Sequence, residues 1–212
     1  MLAADWVTIS ALATAGGTLV LAVATFGSTR SANRAARTAE KSLLANIRPV
    51  LAPSRLDDPQ QKVGFSDDHW VMLGGSQGAA EVADEAIYLT MSLRNVGNGI
   101  GVMHGWLLVP ERVQGDVPHP DIAEFRRLTR DIYVPPDDIG FWQGALREPT
   151  DPEFAAARKG IESREMLTVY LLYGDLDGGQ RTISRFAMQP KKDGGYFVIV
   201  ARHWNIDGAD PR

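Results

Sequence analysis

From Trp6 to Thr29 the chain carries no charged residue, and then Arg30, Arg34, Arg37 and Lys41 follow in quick succession. The uncharged run is 24 residues long. At a helical rise of about 1.5 Å per residue it reaches roughly 36 Å, enough to cross a hydrocarbon core of about 30 Å. Apolar density peaks from Leu19 to Phe26, while Thr8, Ser10, Thr14, Gly16, Gly17 and Thr18 dilute the first half. Hydroxyls and glycines are tolerated in such helices, so the pattern predicts residues 1–29 as an N-terminal transmembrane helix. A cleaved signal would need a basic start, and the only charge ahead of the run is Asp5. A buried helix of a soluble domain is the other reading of so Ala- and Gly-rich a run.

The basic residues after the run recur every three or four positions and share one helical face, with Ala32, Ala36, Ala39, Leu43 and Ile47 on another. Residues 30–47 therefore read as a basic juxtamembrane helix. It should end before Pro49, because a proline pushes the residue ahead of it, Arg48, out of the helical region. Arg30, Arg34, Arg37 and Lys41 are the candidate membrane-surface contacts, each contributing about 1 kcal/mol beside an anionic leaflet. By the positive-inside rule they place residues 48–212 in the cytoplasm and the N-terminus outside, in the inner (plasma) membrane. The expected partners are the lipid bilayer and another membrane or cytoplasmic protein. The alanine stripe and the Ala13–Gly17 pair make a second copy a further candidate partner, although such small-residue pairs are common by chance.

Beyond Pro49 the period shifts toward two. Ile87 to Arg94, Val102 to Val109, Leu167 to Tyr173, Arg181 to Met188 and Tyr196 to Trp204 alternate and are rich in residues that suit a pleated surface. Weaker strand signals lie at Val50 to Pro53, Trp70 to Leu73, Asp131 to Val134 and Gly140 to Leu146. Asp177-Gly178-Gly179 and Asp193-Gly194-Gly195 separate the last three strong segments, which reads as an antiparallel meander. Helical patterns are short: Pro120 to Thr129, and Asp151 to Lys159, where Asp151 can cap and Pro152 suits the first helical position. Ser54 to Ala83 shows little periodicity and is expected to be a long loop or a loose hairpin around Trp70. The predicted fold is mainly β behind a transmembrane helix, with residues 48–212 forming an antiparallel β-sandwich or partly open barrel.

Charge narrows the function classes. Residues 48–212 hold 18 basic against 24 acidic side chains, which argues against sequence-independent binding of nucleic acid. The chain has no cysteine, in keeping with a reducing compartment. Arginine outnumbers lysine 17 to 5, which looks like a GC-rich bacterial coding bias.

Arg48-Pro49-Val50-Leu51 and Asn95-Val96-Gly97-Asn98-Gly99-Ile100-Gly101 resemble elements of a loose group of uncharacterised bacterial membrane proteins. That group has a single N-terminal span, a charged helix ending in an Arg-Pro strand start, and a β domain with an Asn-x-Gly-x-Gly turn. The resemblance covers the organisation of the whole chain. It implies a cytoplasmic β-sandwich-like module and brings no activity or site residues with it.

No motif carries a cofactor, and none is expected. The three glycines after Asn95 could offer amides to an anion, but phosphate-binding loops open a helix and here a strand follows. The expectation is a tight connection in which Asn95, Gly97 and Gly99 supply unusual backbone angles. Asp175-Leu176-Asp177-Gly178 starts like a calcium loop but has Gln180 and Phe186 where glycine and glutamate are needed. His69, His104, His119 and His203 lack the paired spacing of a metal site, so no metal is expected. The candidate ligand pocket is Tyr133, Trp142, Arg185, Arg202, His203 and Trp204, aromatic walls with side chains able to orient a small ligand or peptide. These features favour a membrane-anchored binding or interaction module. One alternative is a membrane-associated hydrolase, with Asp131, Asp175 or Glu165 beside His203. Another is a ligand-responsive effector that self-associates through its helix.

Overall fold

The computed structural model describes residues 2–83 and 85–208. The chain divides into two compact units, residues 1–45 and 46–212.

The first unit is α1 (Leu2–Asn46), one helix without a break at the first arginine. Among the described residues it is the one helix long and apolar enough to cross a membrane. Its described large apolar side chains, Leu19, Val20, Leu21, Val23 and Phe26 among them, are exposed. Thr14, Thr18, Thr25 and Thr29 are not a polar liability, because each of these hydroxyls donates to the carbonyl one turn back. Thr14 reaches Ser10 at 2.9 Å, Thr18 reaches Thr14 at 2.8 Å and Thr25 reaches Leu21 at 2.8 Å. Hydroxyls satisfied in this way need no water, which makes them compatible with lipid.

The second unit contains β1 (Leu51–Pro53), β2 (Gln61–Gly64), β3 (Trp70–Leu73), β4 (Gln77–Ala83), β5 (Ala86–Asn95) and β6 (Gly101–Val109). It continues with β7 (Arg126–Arg127), β8 (Tyr133–Val134), β9 (Ile139–Leu146), α2 (Pro152–Glu162), β10 (Leu167–Gly174), β11 (Arg181–Pro190) and β12 (Tyr196–Asn205). Every strand pairing among the described residues is antiparallel. The main sheet runs β1-β5-β4-β12-β11-β10-β6-β7, with β9 added to β5 and β8 to β6. β4 meets β12 only at Gly78–Tyr196 and Gln77–Phe197. The sheet turns there, so that β9, β5 and β4 lie across a shared core from β12, β11, β10 and β6. Leu89, Met91, Leu93, Trp106, Trp142, Val169, Leu171, Phe186 and Val198 meet in that core. Full burial of each such side chain contributes about 1.5–3 kcal/mol. This is an open, folded-over antiparallel sheet, and the meander β10-β11-β12 is formed as its alternation predicts.

Each layer carries a smaller cluster on its outer face. The hairpin β2-β3 buries Val63, Phe65, Val71 and Leu73 against Tyr88 of β5 and Ala79 of β4. On the other layer Leu107, Tyr170, Leu172, Ile183 and Trp204 pack together with Phe125 of the segment after β6. α2 begins where expected: Asp151 Oδ1 accepts from the Glu153 N–H at 3.0 Å, with Pro152 in the first turn. Phe154, Ala157 and Ile161 of α2 enter the core.

Three local expectations are corrected. The helix expected from Pro120 to Thr129 is a single 3-10 turn, Ile122–Glu124. Its capping box of Asp121 and Glu124 is complete, but Arg126 and Arg127 are drawn into pairing with Trp106 and Gly105 of β6. Of the loop or loose hairpin expected from Ser54 to Ala83, the hairpin around Trp70 is present as β2-β3, and the correction is the seven-residue strand β4 that follows it. Lastly, Gly97 and Gly99 do not take positive φ. They are required for close approach: a methyl at Gly97 would strike the Arg48 carbonyl oxygen, and one at Gly99 the Ile47 carbonyl oxygen.

Candidate functional site

The six residues of the sequence-predicted pocket fall in four places. Arg185 and Arg202 sit opposite each other on β11 and β12. Their guanidinium carbons lie 5.6 and 4.9 Å from the Trp204 ring centre. The chain after β6 covers them, for Arg185 Nη2 donates to the Gly115 carbonyl at 3.2 Å and Arg202 pairs with Asp116. His203 points to the other face, where its Nδ1 is 2.6 Å from Ser184 Oγ. That serine is 2.9 Å from the Tyr173 hydroxyl, which accepts from the Leu51 N–H at 3.1 Å. Burial pushes the Tyr173 phenol up, against the hydrogen bonds from Ser184 and Leu51. Trp142 is core, edge-on to Trp106 at 5.5 Å, and Tyr133 stands exposed on β8.

The acid–base grouping proposed for a hydrolase is not assembled. Asp131 and Asp175 act on His104, while the His203 Nδ1 meets Ser184 Oγ. Burial and Arg181 hold the His104 imidazole below its usual value, against the pull of those two carboxylates. Ser184, the hydroxyl beside His203, is fully buried and so is closed to a substrate. Glu165 is exposed beyond the end of α2. Among the described residues no three of His, Asp or Glu gather as a metal site would need.

A cleft of about 620 Å³ lies elsewhere, between the hairpin β2-β3, the segment 126–130 and β9. Its walls hold five cations, Lys62, Arg126, Arg127, Arg130 and Arg147, and no Asp or Glu among the described residues. The same walls hold Phe65, Trp70, Trp106 and Phe141. Pairing brings these together: Trp70 sits opposite Gly64 on the hairpin, and Arg126 opposite Trp106 on β6. Gly144 stays bare beneath, since a methyl there would press on the Trp106 and Trp142 indoles at 2.8–3.0 Å.

The five cations are of two kinds. Arg126 is held from behind by Asp151 at 2.6 Å and Glu153 at 3.1 Å, and Arg147 by Asp67 at 3.0 Å. Lys62, Arg127 and Arg130 have no carboxylate partner among the described residues. Lys62 lies 4.5 Å from the Trp70 ring centre. Arg130 lies 5.3 Å from that of Phe141 and donates to Gln143 Oε1 at 3.0 Å. Cation–π contacts hold these charges in place while leaving them free to meet an anion. The Arg126-Arg127 and Arg130 cluster was the signal in the sequence, but only the fold sets it across from Lys62 and Trp70.

Asp67, behind the cleft, makes a pH test of this framework. Partial burial would raise its carboxyl, but hydrogen bonds from Arg147 and Tyr88 outweigh that and hold it at about 2. A depressed carboxyl contributes its stability fully above its unfolded value of about 4 and loses it as pH falls through the folded value. Urea unfolding of wild type should therefore weaken between pH 4 and about 2, and Arg147→Gln should show a shallower decline over that interval. Identical profiles would show that the pair does not hold the hairpin.

No protein-family model matches the chain, and no curated protein matches it. Among solved structures, the chain is similar to the crystal structure of a Bordetella pertussis protein described as ApaA, at 10% identity and a TM-score of 0.23. The alignment covers 78% of this chain and 98% of that one, a likeness too slight to carry any argument about function.

Proposed function

We propose that the chain is a single-pass membrane protein whose β domain lies on the cytoplasmic side and serves as a binding module for an anionic ligand. The observation that carries this is the cleft. An acidic domain concentrates five cations and four aromatic rings in one concavity, with no Asp or Glu among the described lining residues. Its volume lies in the range of small-molecule sites. The basic residues Arg30, Arg34, Arg37 and Lys41 support the orientation, with the bilayer as the first partner.

Because the chain has no cysteine, placement is directly testable. In intact cells, a membrane-impermeant thiol reagent should label Ala3→Cys and should reach Ser31→Cys only after permeabilisation. Labelling of position 31 from outside would reverse the orientation. Binding is tested by calorimetric titration of the full chain in neutral detergent micelles with tripolyphosphate. Saturable, salt-sensitive binding is expected, and no heat up to about 10 mM, weaker than the 1 mM that corresponds to about −4.1 kcal/mol, would remove the cleft as an anion site.

A further inference from the structure

We infer that the cleft takes a phosphorylated ligand that also carries a planar aromatic ring, a molecule of the nucleotide class. This rests on the cleft being an anion site and names its ligand. The charge asks for more than one carboxylate. Once Arg126 and Arg147 are matched by the acids behind them, Lys62, Arg127 and Arg130 remain, a set suited to the two to four charges of a phosphate group or chain.

The aromatic residues ask for a ring. Trp70 is 55% exposed although it sits in a regular strand and faces a cavity. It lies flat across Gly64, whose missing side chain would otherwise collide with the indole. The indole rests on bare backbone and Lys62 Nζ stands over the ring at 4.5 Å, so an incoming flat ring takes the place of that ammonium as the ammonium turns to the phosphate. Phe141, half-buried on β9, lines the same space, and the nearly buried Trp106 closes the floor above Gly144. A flat ring entering this space meets aromatic surface from the hairpin and from β9. Lys62 stands at the Trp70 end and Arg130 at the Phe141 end. Ser66, Thr129 and Gln143 supply polar atoms along the lining for the edge of a heterocycle. A lipid headgroup offers the phosphate without the ring, and tripolyphosphate likewise, so the ring separates the alternatives.

The test is calorimetry on the full chain in neutral detergent micelles, with adenosine triphosphate, tripolyphosphate and vesicles of dioleoyl phosphatidylglycerol as probes. Adenosine triphosphate should bind about tenfold or more tightly than tripolyphosphate, the effect of one stacked base. Trp70→Leu, which keeps an apolar cover over Gly64 but removes the flat ring and the contact that holds Lys62, should weaken both probes somewhat and bring the ratio of their affinities to about one. Trp70→Phe should restore most of the nucleotide's advantage, which a merely structural role for the indole would not produce. Equal affinity for the two soluble probes overturns the ring and leaves the anion site standing, whereas binding of neither removes both. Displacement of tripolyphosphate by the vesicles but not by the nucleotide would assign the cleft to lipid phosphate and overturn the inference.

Discussion

Asn95→Leu should destabilise the β domain by about 3–5 kcal/mol, among the largest effects of any single substitution in it. Asn95 is fully buried at the end of β5, and its side-chain amide forms four hydrogen bonds. Oδ1 accepts from the Val50 N–H at 3.1 Å and the Gly97 N–H at 3.0 Å. Nδ2 donates to the carbonyls of Gly99 at 2.6 Å and Val134 at 2.9 Å. Leucine has nearly the same shape and can satisfy none of these backbone groups. Each one left buried and unpaired costs about 1–3 kcal/mol, with relaxation toward water recovering part of the sum. Asn95→Asp should also destabilise, because it turns the donor that faces two carbonyls into an acceptor. Urea unfolding of the full chain in micelles, followed by tryptophan fluorescence, measures both, and a loss under about 1 kcal/mol for Asn95→Leu would mean the amide is not the clamp described.

This clamp shows which parts of the fold the sequence could and could not disclose. Arg48-Pro49-Val50-Leu51 and Asn95 to Gly101 stand out as motifs, but nothing in their spacing says that they touch. In the fold the Val96 N–H donates to the Val50 carbonyl at 2.8 Å, and Gly97 and Gly99 let the two backbones approach closely. Arg48 then forks onto Asp207, at 2.9 and 2.5 Å, from the far end of the chain. Glycines chosen for contact rather than for turning leave no distinguishing local signal. The meander β10-β11-β12 was legible because alternation and Gly-rich turns are local properties. β4 was not, because Gln77-Gly78-Ala79-Ala80 has little apolar contrast, and its strand state comes from pairing with β5 along its length.

The sites divide in the same way. Arg202, His203 and Trp204 read as one cluster in sequence, yet neighbours on a strand face opposite sides. His203 therefore joins Ser184 and Tyr173, while Arg202 and Trp204 share a face with Arg185. The cleft was hidden for a different reason. Its cations come from residues 62, 126–130 and 147, and the segment 120–129, read as a helix, would have spread its arginines around an axis. Only the pairing of this segment with β6 brings it to the border of the cleft.

Neutralising Lys62, Arg127 and Arg130 together, each to glutamine, should lower the affinity for tripolyphosphate by about 100-fold or more while leaving stability within about 1 kcal/mol of wild type. The three cations have no carboxylate partner among the described residues and share one cavity. Their removal thus strands no buried acid and relieves mutual repulsion. Arg126→Gln and Arg147→Gln should behave in the opposite way. They leave Asp151 with Glu153, or Asp67, facing the domain without their counter-charge. They should therefore weaken the fold along with any ligand binding. A charge-assisted contact to phosphate is stronger than a neutral one and is screened by salt, so the affinity of wild type should also fall steeply between 50 and 200 mM salt, on the order of tenfold. The triple variant should show little of that slope. If the triple variant bound tripolyphosphate as tightly as wild type, with the same dependence on salt, the cleft would be only a patch of solvated charge and the anion would have to be sought on another face.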